Sequence, residues 1–171
     1  LTVPAERGGW RLVEASDADL DELMSWFHEA AEVDVWGGPR FRFPFTKATF
    51  RKDCRWGRMP GFRLDSPAGE FAAFGQMYQR YGRINFARLV VRPGLRGQGV
   101  GKRLVGGLME TGPKLFPADE FSLFAYRHNV AALACYQSMG FVIRDYPKGA
   151  RMADQCYYLT RPVQHPAVQV D

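Results

Sequence analysis

Several features that mark specialised proteins are missing from this chain. No apolar run approaches the roughly 20 residues that span a bilayer. Only three cysteines occur, Cys54, Cys135 and Cys156. They are odd in number, widely spaced and outside any C-x-x-C or mixed His/Cys cluster, which excludes the usual zinc frameworks and argues for free thiols in a reducing compartment. Histidine is as scarce, with three residues. There are no internal repeats and no low-complexity tracts. The first residues, Leu1 to Arg7, lack the apolar segment of a secretory signal, so the expectation is a cytoplasmic protein with no membrane association.

What remains is an ordinary globular composition, 46% hydrophobic and 24% charged over 171 residues. That length suits one domain with a sizeable core. The expectation is a single domain over 1–171, with its core in 10–161 and a loose tail at 162–171. The net charge of +5 favours anionic ligands. Nucleic acid is one such ligand, but no RNA- or DNA-binding motif accompanies the charge, so nucleic acid is not expected as a partner.

The basic residues concentrate in one informative place. An apolar run ends at Val90-Val91, and Arg92-Pro93-Gly94-Leu95-Arg96-Gly97-Gln98-Gly99-Val100-Gly101-Lys102-Arg103-Leu104 follows. Strand, glycine loop and helix start come in that order. The first N–H groups of a helix have no intrahelical partner and sit at the positive end of its dipole, so a phosphate fits there. Two nucleotide patterns fail on this string. The P-loop, G-x-x-x-x-G-K-[ST], would need glycine at Arg96 and a hydroxyl at Arg103. The dinucleotide fingerprint, G-x-G-x-x-G, would need glycine at Lys102. A third pattern, [RQ]-x-x-G-x-[GA], is met by Arg96, Gly99 and Gly101.

A second block follows, His128-Asn129-Val130-Ala131-Ala132-Leu133-Ala134-Cys135-Tyr136-Gln137-Ser138-Met139-Gly140-Phe141. The two blocks together resemble the GNAT superfamily of acetyl-CoA-dependent N-acetyltransferases: the first is similar to its pyrophosphate loop, the second to its N-x-x-A-x-x-x-Y-x-x-x-G-F segment. The resemblance covers roughly residues 84–146, with weaker agreement outside.

Periodicity and turn residues outline the elements. Strands are expected at 10–15, 62–65, 70–78, 84–91, 121–126, 141–146 and 155–160. Helices are expected from Ser16 to about Glu32, from Lys47 to about Arg55, from Val100 to Gly112-Pro113, and from Asn129 to Gly140. This is an α/β chain with a mixed sheet. The resemblance implies a single, mostly antiparallel twisted sheet of six or seven strands, about four flanking helices, and central strands that part to admit the pantetheine arm.

The resemblance also implies roles. Acetyl-CoA would be the acyl donor, a primary amine the acceptor, and no metal would take part. Arg96 and the backbone of Gly97, Gln98, Gly99, Val100, Gly101 and Lys102 would hold the pyrophosphate. Leu89, Val90 and Val91 would offer backbone groups to the arm, with the Val91 N–H polarising the thioester carbonyl. Asn129 would cap its helix and touch the arm, and Ala132 would leave room for it. Tyr136 stands where the family often places the acid that protonates the leaving thiolate; an unperturbed tyrosine is protonated at neutral pH, as a donor must be.

The chain departs from the family at Asn85, near which many relatives carry glutamate. An amide cannot accept the proton, so Asn85 could act only within a chain of waters. Glu29, Glu32, Asp34, Glu70, His28 and His128 are the alternative bases. The aromatic segment from Val33 to Phe45 would either shape the acceptor site or tuck over the core. A coenzyme-binding module without efficient turnover is the competing reading, a basic nucleic-acid binder the third. A homodimer is a further expectation.

Overall fold

The computed structural model describes residues 5–165. Eight strands form one sheet: β1 (Ala5–Arg7), β2 (Trp10–Glu14), β3 (Gly61–Asp65), β4 (Phe71–Arg80), β5 (Arg83–Val91), β6 (Glu120–Tyr126), β7 (Val142–Arg144) and β8 (Cys156–Pro162). The helices are α1 (Leu20–Met24), α2 (Ala30–Gly37), α3 (Lys47–Asp53), α4 (Val100–Leu115) and α5 (Val130–Ser138). The mixed, mostly antiparallel class agrees with the sequence reading. The count differs slightly: eight strands replace six or seven, and five helices replace about four. β1 is the additional strand. Gly8 and Gly9, both at positive φ, fold three residues back on β2, too short a segment to show a pattern.

The additional helix comes from a division of the expected 16–32 segment. The chain leaves the helix after Met24, where the Ser25 hydroxyl donates to the Glu22 carbonyl, turning Trp26 and Phe27 into the core. It restarts at Ala30, where the Glu32 carboxylate accepts the N–H groups of His28 and Glu29. α4 runs past its expected stop. Pro113 lies in its last turn, and the Phe116 N–H closes the helix on the Gly112 carbonyl. At the C-terminus β8 extends through Pro162, and buried Val163 donates its N–H to Asp119. The rest of the expected loose tail, 166–171, lies outside the described residues.

The strand order is β1-β2-β3-β4-β5-β6-β8-β7. Side-chain alternation splits the core into two layers. Phe62 and Leu64 of β3 join Leu104, Val105 and Leu108 of α4 in one cluster. Arg63, between them, points the other way, over the Phe71 ring and onto Asp19. On that second face Leu20, Leu23, Trp36 and Phe50 pack against Phe71, Phe74 and Val90. Phe41 is buried there and Phe43 and Phe45 pack partly against it, so the aromatic segment tucks largely over the core.

The fold opens at the centre of the sheet. β5 and β6 are its one parallel neighbouring pair, and they pair only through Ile84↔Phe121, Asn85↔Ser122 and Phe86↔Leu123. Beyond Phe86 the strands separate, although each continues. A register shift between β4 and β5 accompanies the departure: Phe74 faces Val90 but Gln76 faces Ala87. Arg88 takes up the extra residue at φ 50°, a conformation rare for a side chain of its size.

Candidate active site

The parted strands enclose a cleft of about 1090 Å³. One wall carries Arg96 with Asn129, Ala132 and Tyr136 of α5. The opposite wall carries Trp36 and its neighbours in α2 with Arg55 and Met59. Asn85 to Val90 form the floor.

The glycine loop has the geometry an anion needs. Gly97 and Gly99 adopt φ of 75° and 78°, and a Cβ at either would meet no protein atom within 4 Å. Those glycines are therefore set by backbone conformation, and the space above them is open. Gly99 is the N-cap of α4 and offers no side chain, and the first helical bond in the turn is Arg103 N–H to the Gly99 carbonyl. Among the described residues, the N–H groups of Gly97 through Lys102 have no backbone acceptor. Gly101 differs: its added Cβ would make ordinary contacts with Val91 and Cys135. The loop is braced from behind. The Gln98 amide donates to the Gly94 carbonyl, and Arg92 donates to Glu22 and to the Phe71 carbonyl. Arg96 is exposed, with its Nε 3.4 Å from the Val91 carbonyl.

Strand alternation settles which backbone groups face the gap. The Arg92 N–H bonds Ala72 of β4, so Val91, one residue earlier, turns its N–H and carbonyl to the opposite edge. Leu89 shares that edge. Val90 presents its backbone to β4 and its buried side chain to the second core layer.

At the start of α5 the Asn129 side-chain Oδ1 accepts the Ala132 N–H at 3.4 Å, as an N-cap does. Tyr136 packs beside Phe141, with ring centroids 6.3 Å apart. Its hydroxyl has no hydrogen-bond partner among the described residues, and burial pushes its pKa well up, so it stays protonated.

Asn85 is buried and engaged. Its carbonyl oxygen accepts from the Ser122 hydroxyl at 3.1 Å, and its amide donates to the Phe86 carbonyl at 3.3 Å. It joins the two strands at the point where they begin to part.

Of the alternative bases only Glu32 lines the cleft, and its two backbone N–H partners at the start of α2 hold its carboxyl below the usual range. Asp34 accepts the Tyr126 hydroxyl at 3.3 Å, which ties α2 to β6, and burial beside that carboxylate lifts the Tyr126 phenol to about 12. His128 is exposed and stacks on Tyr126. His28 and Glu29 are exposed, and Glu70 pairs with Arg92 away from the cleft.

Two residues at this site lacked a sequence signal strong enough to single them out. Trp36 donates its indole N–H to the Arg88 carbonyl at 2.8 Å, holding the bulge in its left-handed turn. Arg88 itself interrupts the apolar strand Phe86 to Val91; a charge in that context was the available clue. Among the described residues no group of three or more His, Cys, Asp or Glu side chains is arranged to hold a metal, and no helix is long and apolar enough to cross a membrane.

Solved structures share this architecture. The ribosomal-protein-S18-alanine N-acetyltransferase of Escherichia coli superposes with a TM-score of 0.61 at 20% identity, covering 95% of this chain and 99% of that one. Spermidine N-acetyltransferase from Vibrio cholerae, in complex with CoA and spermine, gives 0.70 at 12% identity, with 92% and 97% covered. The N-acetyltransferase PseH of Campylobacter jejuni gives 0.61 at 14% identity, with 91% and 99% covered. At these identities the likeness is one of fold. The sequence match is separate: residues 20–141 fit the model of the Acetyltransferase (GNAT) family. With most of its length matched and the parted strands and glycine loop in place, the chain belongs to this family of N-acetyltransferases.

Proposed function

We propose that the protein transfers an acetyl group from acetyl-CoA to a primary amine by direct attack of the amine on the thioester. The observation that carries this reading is the run of N–H groups from Gly97 to Lys102, unpartnered among the described residues and opening beside the gap between β5 and β6. The cradle fits a diphosphate: it is built from backbone donors, has open space above its glycines, and has Arg96 at its rim. The coenzyme brings an activated acyl group and a good leaving thiolate.

The chain's own groups have distinct tasks in this reading. The gap-facing backbone of Leu89 and Val91 pairs with the pantetheine arm as an added strand would. The Val91 N–H points where a carbonyl oxygen gains charge as the amine attacks. The Asn129 amide steadies the arm while it caps α5, and Ala132 keeps the passage clear. Tyr136 gives its proton to the departing thiolate; its desolvated hydroxyl lies on the cleft wall, free of other partners. Asn85 orders water at the floor, through which the ammonium proton leaves, because it cannot take the proton itself.

The acceptors named for the structural neighbours are an alanine of ribosomal protein S18 and the polyamine spermidine, so the shared fold serves unlike amines. Three free thiols, two of them buried, suit a reducing cytoplasm. A homodimer belongs to the same reading. It is supported by exposed Val142 and Ile143 on the edge strand β7, an apolar edge of the kind that self-association covers.

Isothermal titration with acetyl-CoA tests the cradle, and thiol release across a panel of amines tests turnover. Binding with amine-dependent release is the expected result. Absence of binding rejects the assignment, and binding with no release from any amine leaves a coenzyme-binding module.

A further inference from the structure

Several arginines outside the cleft are paired with the protein's own carboxylates, whereas Arg103, Arg127, Arg144 and Arg161, also outside it, have only neutral partners among the described residues. Arg42 holds Asp53, Arg51 holds Asp17, Arg63 holds Asp19 and Asp65, Arg83 holds Glu120, and Arg92 holds Glu22 and Glu70. The arginines that line the cleft away from the glycine loop are Arg55, Arg80, Arg88 and Arg151. None of these four makes an ion pair among the described residues.

Arg88 is the most telling of them. Its Nη1 donates to the Gln76 carbonyl oxygen at 3.0 Å and contacts the Met59 sulfur, and its Nη2 donates to the Asp53 backbone carbonyl at 3.1 Å. These partners are all neutral. The nearby Asp53 carboxylate is already held by three nitrogens of Arg42, one of them backbone. The Arg88 Nε is buried and has no hydrogen-bond partner among the described residues. Three of the guanidinium's five donors are used, so the group keeps a full charge and spare donors in a poorly solvated place. A desolvated, unpaired cation is costly unless a counter-charge arrives. Burial is the main influence disfavouring that charge and Arg55 adds to it, against weaker support from Cys54, Tyr78 and Asp53.

The surroundings add to the positive field. Arg80 stacks on the Phe124 and Tyr81 rings and donates to the Tyr78 hydroxyl. Arg55 and Arg151 have no side-chain partner among the described residues. The cleft's one lining acid is Glu32, already committed to the start of α2. A polycationic amine entering the cleft would meet four like charges.

We propose that the acceptor is a small amine that also carries a carboxylate, the chemistry of a free amino acid, and that Arg88 with Arg55, Arg80 and Arg151 recognises the carboxylate while the amine faces the thioester. This rests on the acetyltransferase reading and narrows its substrate class.

The test compares each of a panel of amino acids with its own primary amide, and with spermidine, by thiol release from acetyl-CoA. Peptides with an acidic first residue form a separate arm. At least one free amino acid should exceed its amide by about 10-fold or more in kcat/KM, since a charge-assisted guanidinium contact has that worth. Arg88→Gln should abolish the preference mainly through KM. To keep the test independent of that variant's folding, Arg151→Gln and Arg80→Gln, at more accessible positions, should each weaken the preference severalfold. Binding of the N-acetylated amino acids and their amides to the CoA-loaded protein, followed by saturation-transfer NMR, repeats the comparison without turnover. Equal use or equal binding of acid and amide, preference for spermidine, or no product binding to CoA-loaded protein overturns the proposal. Activity confined to the acidic peptides also overturns it, by moving the carboxylate to a peptide. Coenzyme binding, measured alongside, separates all of these from failure of the acetyltransferase reading.

Discussion

Tyr136 shows what a single residue's surroundings decide. Its spacing from Asn129 was visible in the sequence, but its chemical state was not. Burial keeps the phenol protonated far beyond neutral pH, which suits a proton donor and rules it out as a base. Tyr136→Phe should lower kcat by about 10²-fold with little change in the KM for acetyl-CoA; steady-state kinetics with a saturating amine would reveal it, and near-normal turnover would make the ring a packing residue only. Cys54 gives a second prediction at this scale. Burial raises its thiol from 9.0 to about 12. The folded protein therefore keeps a proton that the unfolded chain loses, so this contribution is complete below about pH 9 and is lost as pH rises toward 12. Urea denaturation at stepped pH should show a steeper alkaline loss for the wild type than for Cys54→Ala. A thiol reagent at pH 8 should modify Cys54 only after unfolding.

At the scale of elements, two pieces dominate the site: the loop entering α4 and the first turn of α5. Both are contiguous strings whose geometry follows from local chemistry, and both were legible. Glycine at positive φ, an uncapped helix start and an Asn cap are short-range facts. The division between α1 and α2 was not legible, because it depends on Trp26 and Phe27 finding the second core layer, a tertiary event. Gly99→Glu should raise the KM for acetyl-CoA at least about tenfold, whereas Gly99→Ala, with the backbone strain but not the charge, should cost mainly about 1 kcal/mol of stability. Kinetics paired with thermal melts separate the two effects. At α5, Asn129→Ala should lose about 1 kcal/mol of cap stability. Asn129→Ser should recover that stability by capping with its hydroxyl yet leave the KM for acetyl-CoA raised, if the amide also serves the arm.

For the molecule as a whole, the sheet class could be read from alternation and turn spacing, while the parting of the central strands was expected from the family resemblance alone and not from the residue pattern. The departure of β5 from β6 depends on Arg88 at the bulge, Trp36 holding its carbonyl from 52 positions away, and the Asn85–Ser122 contact across 37. A strand pattern says which residues are extended, not where a neighbour leaves. The same limit hid the unpaired arginines, since pairing is decided by which carboxylates the fold brings near. Saturation should be visible globally: at 100 times Kd, acetyl-CoA adds about 2.7 kcal/mol to the folded state. For a chain of this size that corresponds to a rise in Tm of roughly 5–10 °C, measurable by scanning calorimetry; no rise would contradict an intact binding cleft.

The three-residue parallel ladder between β5 and β6 also divides the architecture unequally. On one side stand five strands joined by antiparallel ladders, β1 to β5, and on the other stand three, β6, β8 and β7. So short a seam makes the two blocks natural candidates for breathing against each other, because few backbone bonds must break at once. A molecule wedged along the gap would stitch the blocks together, so deuterium uptake at the amides of 84–91 and 121–126 should slow together when it binds, and the seam becomes a built-in gauge of occupancy.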